Sequence, residues 1–274
     1  MKWVKTLLIV WLIIPLVGLH AIEIIAHRGA SYDAPENTLA AFRLGYAQQA
    51  DAVELDIRLT RDGQIVVIHD ANTRRTTGHD ADVKSCSLAS LRALDAGRWK
   101  GAQWLGERLP TLSEALATVP DGKQLFIEIK CGPEVLPELE RVLKTAGKAP
   151  EQTVLIGFKY ETMKTARQRF PKLPLYWLVA VGTDAKTEPT PDIETLIAKA
   201  RAAGFDGLNL HYRFPIDAAA VAKVRAAGLR LYVWTVDDAA VAARLAAVGV
   251  NGLTTNRPRW LRDQLALVRP SPSE

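Results

Sequence analysis

Val53-Glu54-Leu55-Asp56-Ile57-Arg58-Leu59-Thr60-Arg61-Asp62-Gly63-Gln64-Ile65-Val66-Val67-Ile68-His69 is two apolar runs joined by four polar residues. Four residues are far too few for a parallel crossover. Asp-Gly is a strong two-residue hairpin signal, because both central positions want positive φ. The spacing therefore predicts an antiparallel hairpin of Val53–Thr60 with Ile65–His69, turning at Asp62-Gly63. In that register Arg61 faces Gln64, and counting back along both strands Asp56 faces His69. Opposed residues share a sheet face with side chains ~5 Å apart.

Working outward, seven further strands read at Ile24–His27, Leu125–Lys130, Val154–Phe158, Leu175–Val179, Gly207–His211, Arg230–Val236 and Gly252–Thr255. Helical periodicity separates most of them, as at Thr38–Ala47, Pro133–Thr145, Ile193–Ala203, Asp217–Ala227 and Ala239–Val248. Such alternation implies a parallel sheet with helices outside it. Setting the returning strand of the hairpin aside leaves eight parallel strands. The expectation is an α/β fold, a (β/α)8 TIM barrel with a β-hairpin extending the second strand. Such barrels need about 250 residues, so 22–268 reads as one domain. The one long insertion, 71–110, leaves just after His69 and is expected to lie over the mouth and shape the substrate pocket. It contains a short helix at Leu88–Leu94 together with Trp99 and Trp104.

The ends of the chain are read differently. Lys2 and Lys5 precede the apolar run Thr6–Gly18, too short for a comfortable membrane span, and Ala21 offers a small residue for cleavage. Residues 1–21 are therefore expected to be a signal peptide that sends the chain to the periplasm or outside the cell. Leu19 stands where cleavage prefers a small residue, so a retained N-terminal anchor is the alternative. Residues 269–274 read as a flexible tail. Loss of the two leader lysines takes the formal charge from +5 to +3. That balance is too small and scattered for a nucleic-acid surface. The two cysteines, Cys86 and Cys131, either pair or stay free; they form no metal-binding spacing, which excludes zinc held on thiolates.

Polar residues crowd the C-terminal ends of the apolar strands, where a barrel keeps its active site. Glu54 and Asp56 are two apart and share a face, as do Glu128 and Lys130, leaving Val53, Leu55, Ile127 and Ile129 for the outer helices. Inward carboxylates in a barrel covered on both faces need a reason. Three of them cannot stay ionised together without a cation, and hard oxygen donors select one Ca2+ or Mg2+. Arg28 and Lys130 would then bring the site to a charge of about +1, suited to a phosphodiester monoanion and its more charged transition state. His27 and His69, on different strands, can serve as general base and general acid on opposite sides of phosphorus. Glu36 caps the following helix or orients Arg28, and Trp234 is core packing or a substrate wall. His211, with Asn209 on the same strand face, reads as rim.

His27-Arg28-Gly29, Pro35-Glu36-Asn37-Thr38, Glu54-Leu55-Asp56, Val66-Val67-Ile68-His69-Asp70, Glu128-Ile129-Lys130 and Val233-Trp234-Thr235-Val236 fall in one order along the chain. The ordered set resembles the signatures of glycerophosphodiester phosphodiesterases, on the barrel of the phosphatidylinositol-phospholipase-C-like type, across roughly Ile24 to Pro258. The resemblance implies hydrolysis of glycerophosphodiesters to glycerol 3-phosphate and an alcohol, dependent on calcium or magnesium. It implies metal ligands at Glu54, Asp56 and Glu128, catalysis by His27 and His69, and phosphate held by Arg28 and Lys130; Glu36 and Trp234 are placed on the substrate side by their own positions in the sequence. It further implies attack by the glycerol 2-hydroxyl, giving a cyclic phosphate that water opens. Two positions depart from the pattern: Asp237 stands where the family often has Asn, and Asn256 where it often has Asp. Both are expected at the rim, away from the metal and acid–base residues.

Two other functions compete. A phospholipase C or sphingomyelinase D on the same architecture would need an apolar docking segment. The insertion offers Trp99 and Trp104 but also Arg98, Lys100, Glu107 and Arg108, which favours a small, water-soluble substrate over membrane contact. A catalytically silent surface binding protein would have no need of Glu54, Asp56, Glu128, His27 and His69 together.

Overall fold

A computed structural model describes residues 22–181 and 191–267. The expected signal peptide and C-terminal tail lie outside the described residues. Among the described residues nine strands are present: β1 (Glu23–Ala26), β2 (Ala52–Leu59), β3 (Ile65–Val67), β4 (Gln124–Ile129), β5 (Thr153–Gly157), β6 (Leu175–Val179), β7 (Gly207–His211), β8 (Arg230–Trp234) and β9 (Gly252–Thr255). The helices are α1 (Leu39–Ala47), α2 (Arg74–Thr77), α3 (Leu88–Arg92), α4 (Leu112–Ala117), α5 (Leu136–Ala146), α6 (Tyr160–Arg169), α7 (Ile193–Ala202), α8 (Ala218–Ala226), α9 (Ala239–Val248) and α10 (Pro258–Leu267). Parallel pairing runs β1-β9-β8-β7-β6-β5-β4-β2, and β1 pairs with β2 to close the ring. The fold is an eight-stranded TIM barrel with β3 as an extra antiparallel strand outside it.

Side-chain alternation sorts the barrel wall. Val53, Leu55, Ile127 and Ile129 are buried against the helices, in one continuous core with Leu116, Leu139 and Met163. The interior face carries Ile25, Ala52, Phe126, Val154, Ile156, Tyr176 and Tyr232. Tyr176 and Tyr232 stack with ring centroids 4.7 Å apart and fill the lower barrel. Gly252 makes room for Tyr232, since a Cβ there would come within 2.7 Å of its ring. With its lower half plugged, the barrel is left with a shallow polar mouth at the strand C-termini.

The hairpin register differs from the sequence reading by one residue. Ile57 pairs with Val67, Arg58 with Val66 and Leu59 with Ile65. The turn has three residues, Arg61-Asp62-Gly63, closed by Thr60 N–H donating to the Gln64 carbonyl at 2.9 Å. Only Gly63 takes a positive φ, 73°, which is the pattern of a three-residue loop ending in a left-handed residue. Asp62 is drawn elsewhere: its carboxylate accepts the Leu88 N–H at 3.0 Å and the Thr60 hydroxyl at 2.6 Å. Asp56 is therefore opposite Ile68, whose N–H donates to its carbonyl at 3.0 Å. His69 lies beyond the paired strand. It stays at the mouth because Arg58 Nε holds its carbonyl at 2.8 Å.

The segment after His69 forms a satellite core on β3, made of Val66, Ile68, Val83, Leu91, Ala96 and Leu109. Side chains tie it back to the barrel: Lys100 Nζ donates to the Ser31 carbonyl at 2.7 Å, Arg75 reaches Glu36, and Arg92 pairs with Glu114 on α4. Cys86 and Cys131 are both free.

Candidate active site

The loop after β1 has an unusual backbone. Arg28 and Gly29 both take positive φ, 57° and 82°, and a Cβ on Gly29 would lie 2.5 Å from the Ala41 carbonyl carbon. Glycine thus lets the loop press on α1 and aims the Arg28 N–H at Glu54 Oε2, 2.8 Å away. Left-handed conformations cost energy for residues other than glycine and gather at functional sites. Asn37, at φ 58°, is a second case. Its Nδ2 donates to Asp56 Oδ2 at 2.8 Å, and its Oδ1 accepts the Asp56 N–H at 3.2 Å. Thr38 is the N-cap of α1, which leaves Glu36 for the arginines.

Glu54, Asp56 and Glu128 are all buried, with one oxygen of each within 4.8 Å of the others. Burial, then the negative charges of Asp56 and Glu128, pushes Glu54 well above the carboxylate range. Burial and Asp56 likewise raise Glu128 to about 7, although Lys130 opposes them. Lys130 Nζ lies 2.6 Å from Glu128 and 3.7 Å from Asp56, and Arg28 Nε lies 3.5 Å from Asp56. Even so, Glu54 Oε1 and Asp56 Oδ1 are buried without a hydrogen-bond partner. Buried polar atoms are rarely left so. An all-oxygen donor set with two such atoms fits a hard divalent cation.

The two histidines have different partners. His69 Nδ1 bonds the Asp70 carboxylate at 2.7 Å. Asp70 is also held by Arg75 Nε at 2.7 Å, and despite partial burial these bonds keep it down to about 2. His27 Nδ1 instead meets the side-chain oxygen of Asn256 at 2.7 Å. Burial, then the charge of Arg28, lowers His27 to about 4. Burial also lowers His69, where Asp56 pulls the other way.

Glu36 is fully engaged: Oε1 accepts from Arg28 and Arg75 at 2.8 and 2.7 Å, and Oε2 from Arg75 at 2.7 Å. Trp234 packs against the barrel interior, donates Nε1 to the Asn209 carbonyl at 3.1 Å, and meets Phe158 and His211 edge-on at 5.3 and 4.9 Å.

One expectation fails here. Asn256 and Asp237 do not lie apart from the acid–base residues, since Asn256 touches His27 and Asp237 binds Asn256. Closure of the barrel is the reason: β9 lies beside β1 with Thr255 level with Ala26, so the next residue on each strand meets its neighbour. Sequence reasoning also missed Arg75 and the grip of Asn37 on Asp56. Asn37 stands in the Pro35-Glu36-Asn37-Thr38 stretch, and its placement before a helix cap masked its second role.

The model of the glycerophosphoryl diester phosphodiesterase family matches residues 27–259. The chain belongs to that family. A glycerophosphodiester phosphodiesterase of Caldanaerobacter subterraneus is 35% identical over 243 residues, covering 87% of this chain and 95% of the relative. A second, from Bacillus subtilis, is 34% identical over 256 residues, covering 85% and 83%. Among solved structures, an Oleispira antarctica phosphodiesterase in complex with the product sn-glycerol-3-phosphate superposes with a TM-score of 0.79 at 29% identity, over 89% of this chain and 96% of that one. As a glycerophosphodiester phosphodiesterase family member, the chain is a phosphoric diester hydrolase. Its matched segment opens on His27 and takes in both histidines and all three buried carboxylates.

Proposed function

We propose that the chain hydrolyses glycerophosphodiesters to glycerol 3-phosphate and an alcohol, with one Ca2+ or Mg2+ held by Glu54, Asp56 and Glu128. The observation that carries this reading is the buried triad with unpartnered oxygens on Glu54 and Asp56, flanked by two cationic and two imidazole side chains. The cation would supply Lewis-acid stabilisation of charge on the phosphoryl oxygens. The chain's residues do the rest. Arg28 and Lys130 bind the phosphate, with Glu36 keeping the Arg28 guanidinium oriented and Trp234 walling the substrate.

His27 and His69 move the protons. One imidazole takes the proton of the glycerol 2-hydroxyl as that oxygen attacks phosphorus. The other gives a proton to the departing alcohol oxygen. The cyclic phosphate that results is opened by water with the two roles exchanged, which releases glycerol 3-phosphate and restores both histidines. The N-terminal pattern supports export to the periplasm or beyond, with residues 1–21 as the signal.

Substrate analogues test the internal attack. Glycerophosphocholine should release glycerol 3-phosphate, whereas the same diester built on propane-1,3-diol, which lacks the 2-hydroxyl, should not be cleaved. Equal turnover of the two would mean direct attack by water and would overturn the cyclic route.

A further inference from the structure

Three strand ends that are neighbours in the barrel, β8, β9 and β1, place Asp237, Asn256 and His27 in a line. The Asp237 carboxylate accepts three hydrogen bonds. Its Oδ1 takes the Thr255 hydroxyl at 2.7 Å and the Asn256 N–H at 2.9 Å, and its Oδ2 takes the Asn256 side-chain NH2. The other end of that amide, Oδ1, accepts from the Ser31 hydroxyl at 2.8 Å and meets His27 Nδ1 at 2.7 Å.

The chemistry of these groups leaves one consistent arrangement. A carboxylate can only accept, so the amide end facing Asp237 must be the NH2. The opposite end is then the carbonyl oxygen, which also can only accept. His27 Nδ1 must therefore carry the hydrogen, and Nε2 is left with its lone pair. Turning the amide over would set its oxygen against the Asp237 carboxylate and its NH2 against the imidazole. The Ser31 hydroxyl can donate or accept and so decides nothing; Asp237 does. No hydrogen bond to His27 Nε2 is present among the described residues.

We propose that Asp237, acting through the Asn256 amide, is a positioning residue that locks His27 in the Nδ1–H tautomer and so presents Nε2 as the nitrogen that exchanges protons with substrate. The proposal rests on the reading of His27 as a proton carrier. It also sets the two histidines apart: His69 is backed directly by a carboxylate, His27 by a neutral amide that a carboxylate orients. The second nitrogen of a functional histidine commonly fixes the first in this way. With the two side chains exchanged, a carboxylate would stand on His27 Nδ1 and an amide behind it, which again demands Nδ1–H.

The test reads the tautomer directly. In long-range ¹H–¹⁵N spectra of the 15N-labelled full chain at neutral pH, with the His27 signals assigned by their loss in His27→Gln, Nδ1 should appear protonated and Nε2 bare. Asp237→Asn places an amide where the carboxylate was, so Asn256 is no longer forced to one orientation. The single tautomer should be lost, and kcat should fall by up to about 10²-fold with KM unchanged. The exchange Asp237→Asn with Asn256→Asp should restore both the tautomer and most of kcat, which a merely structural role would not produce. Protonated Nε2 in the wild-type chain overturns the proposal without any variant having to fold. So does Asp237→Asn with unchanged tautomer and kcat. Absence of turnover in a wild-type chain that still shows Nδ1–H would instead count against the proposed reaction.

Discussion

Replacing Asn37 separates the support of the carboxylate triad from the triad itself. The side chain is 3% exposed, takes φ 58°, and makes two hydrogen bonds to Asp56, at 2.8 and 3.2 Å. Asn37→Ala removes both. The bond to the Asp56 carboxylate is of the charge-assisted kind, about 1.5–3 kcal/mol, and the buried Asp56 N–H left behind costs about 1–3 kcal/mol more. Arg28 Nε, 3.5 Å from the same oxygen, offsets part of the first loss. Alanine also adds roughly 1 kcal/mol of strain at positive φ. About 3–6 kcal/mol is expected in total, or a fall in Tm of about 6–24 °C for a domain of this size. Asn37→Gly loses the same bonds without the strain and should recover about 1 kcal/mol of that. Both variants should bind Ca2+ or Mg2+ about 10–100-fold more weakly, as expected when a group orienting a metal ligand is removed. Thermal melts with and without the ion, together with calorimetric titration, read both quantities. Wild-type ion affinity in Asn37→Ala, with Tm unchanged, would refute the claim that Asn37 holds Asp56 in place.

The other expectations concern the ion and the histidines. Glu54→Ala or Glu128→Ala should abolish turnover and ion binding together, followed by the same titration and by release of glycerol 3-phosphate. Because Glu128 is raised to about 7 and Glu54 is also raised, the ion-free fold holds protons that the unfolded chain gives up. That contribution is full below the ordinary glutamate value of 4.5 and is lost as pH rises to about 7. The ion competes with those protons, so the Tm gain on adding Ca2+ should be larger at pH 8 than at pH 5.5; a pH-independent gain contradicts the assignment. His69→Ala should bind the ion normally and lose about 10²–10⁴ in turnover, and near-wild-type rates would end the two-histidine mechanism.

The strand pattern was legible because burial on both faces of a parallel wall leaves short apolar runs, and polar residues stand out at their ends. Glu54, Asp56, Glu128 and Lys130 could be placed on one face from period two alone. The hairpin's existence was legible and its register was not, since Asp62 answers to Leu88 in the following segment rather than to turn preference. Helix α6 escaped notice because only Tyr160, Met163 and Ala166 mark its apolar side. Helix α4 carried a signal in the Thr111 and Glu114 capping box, which closes in the structure. Asn256 and Asp237 become readable only when the barrel is closed and β9 is set beside β1. Arg75 needs the path of the insertion, which no local pattern encodes.

Stripping the chain with EDTA and adding back Ca2+ or Mg2+, while following release of glycerol 3-phosphate from glycerophosphocholine and Tm in the same samples, tests the metal role of the carboxylate triad. The stripped protein should show no turnover, and turnover and Tm should recover together at one ion per chain. Full turnover after EDTA would contradict the metal role of Glu54, Asp56 and Glu128. A folded chain with neither turnover nor ion-dependent stabilisation would contradict the enzyme reading and leave a catalytically silent barrel.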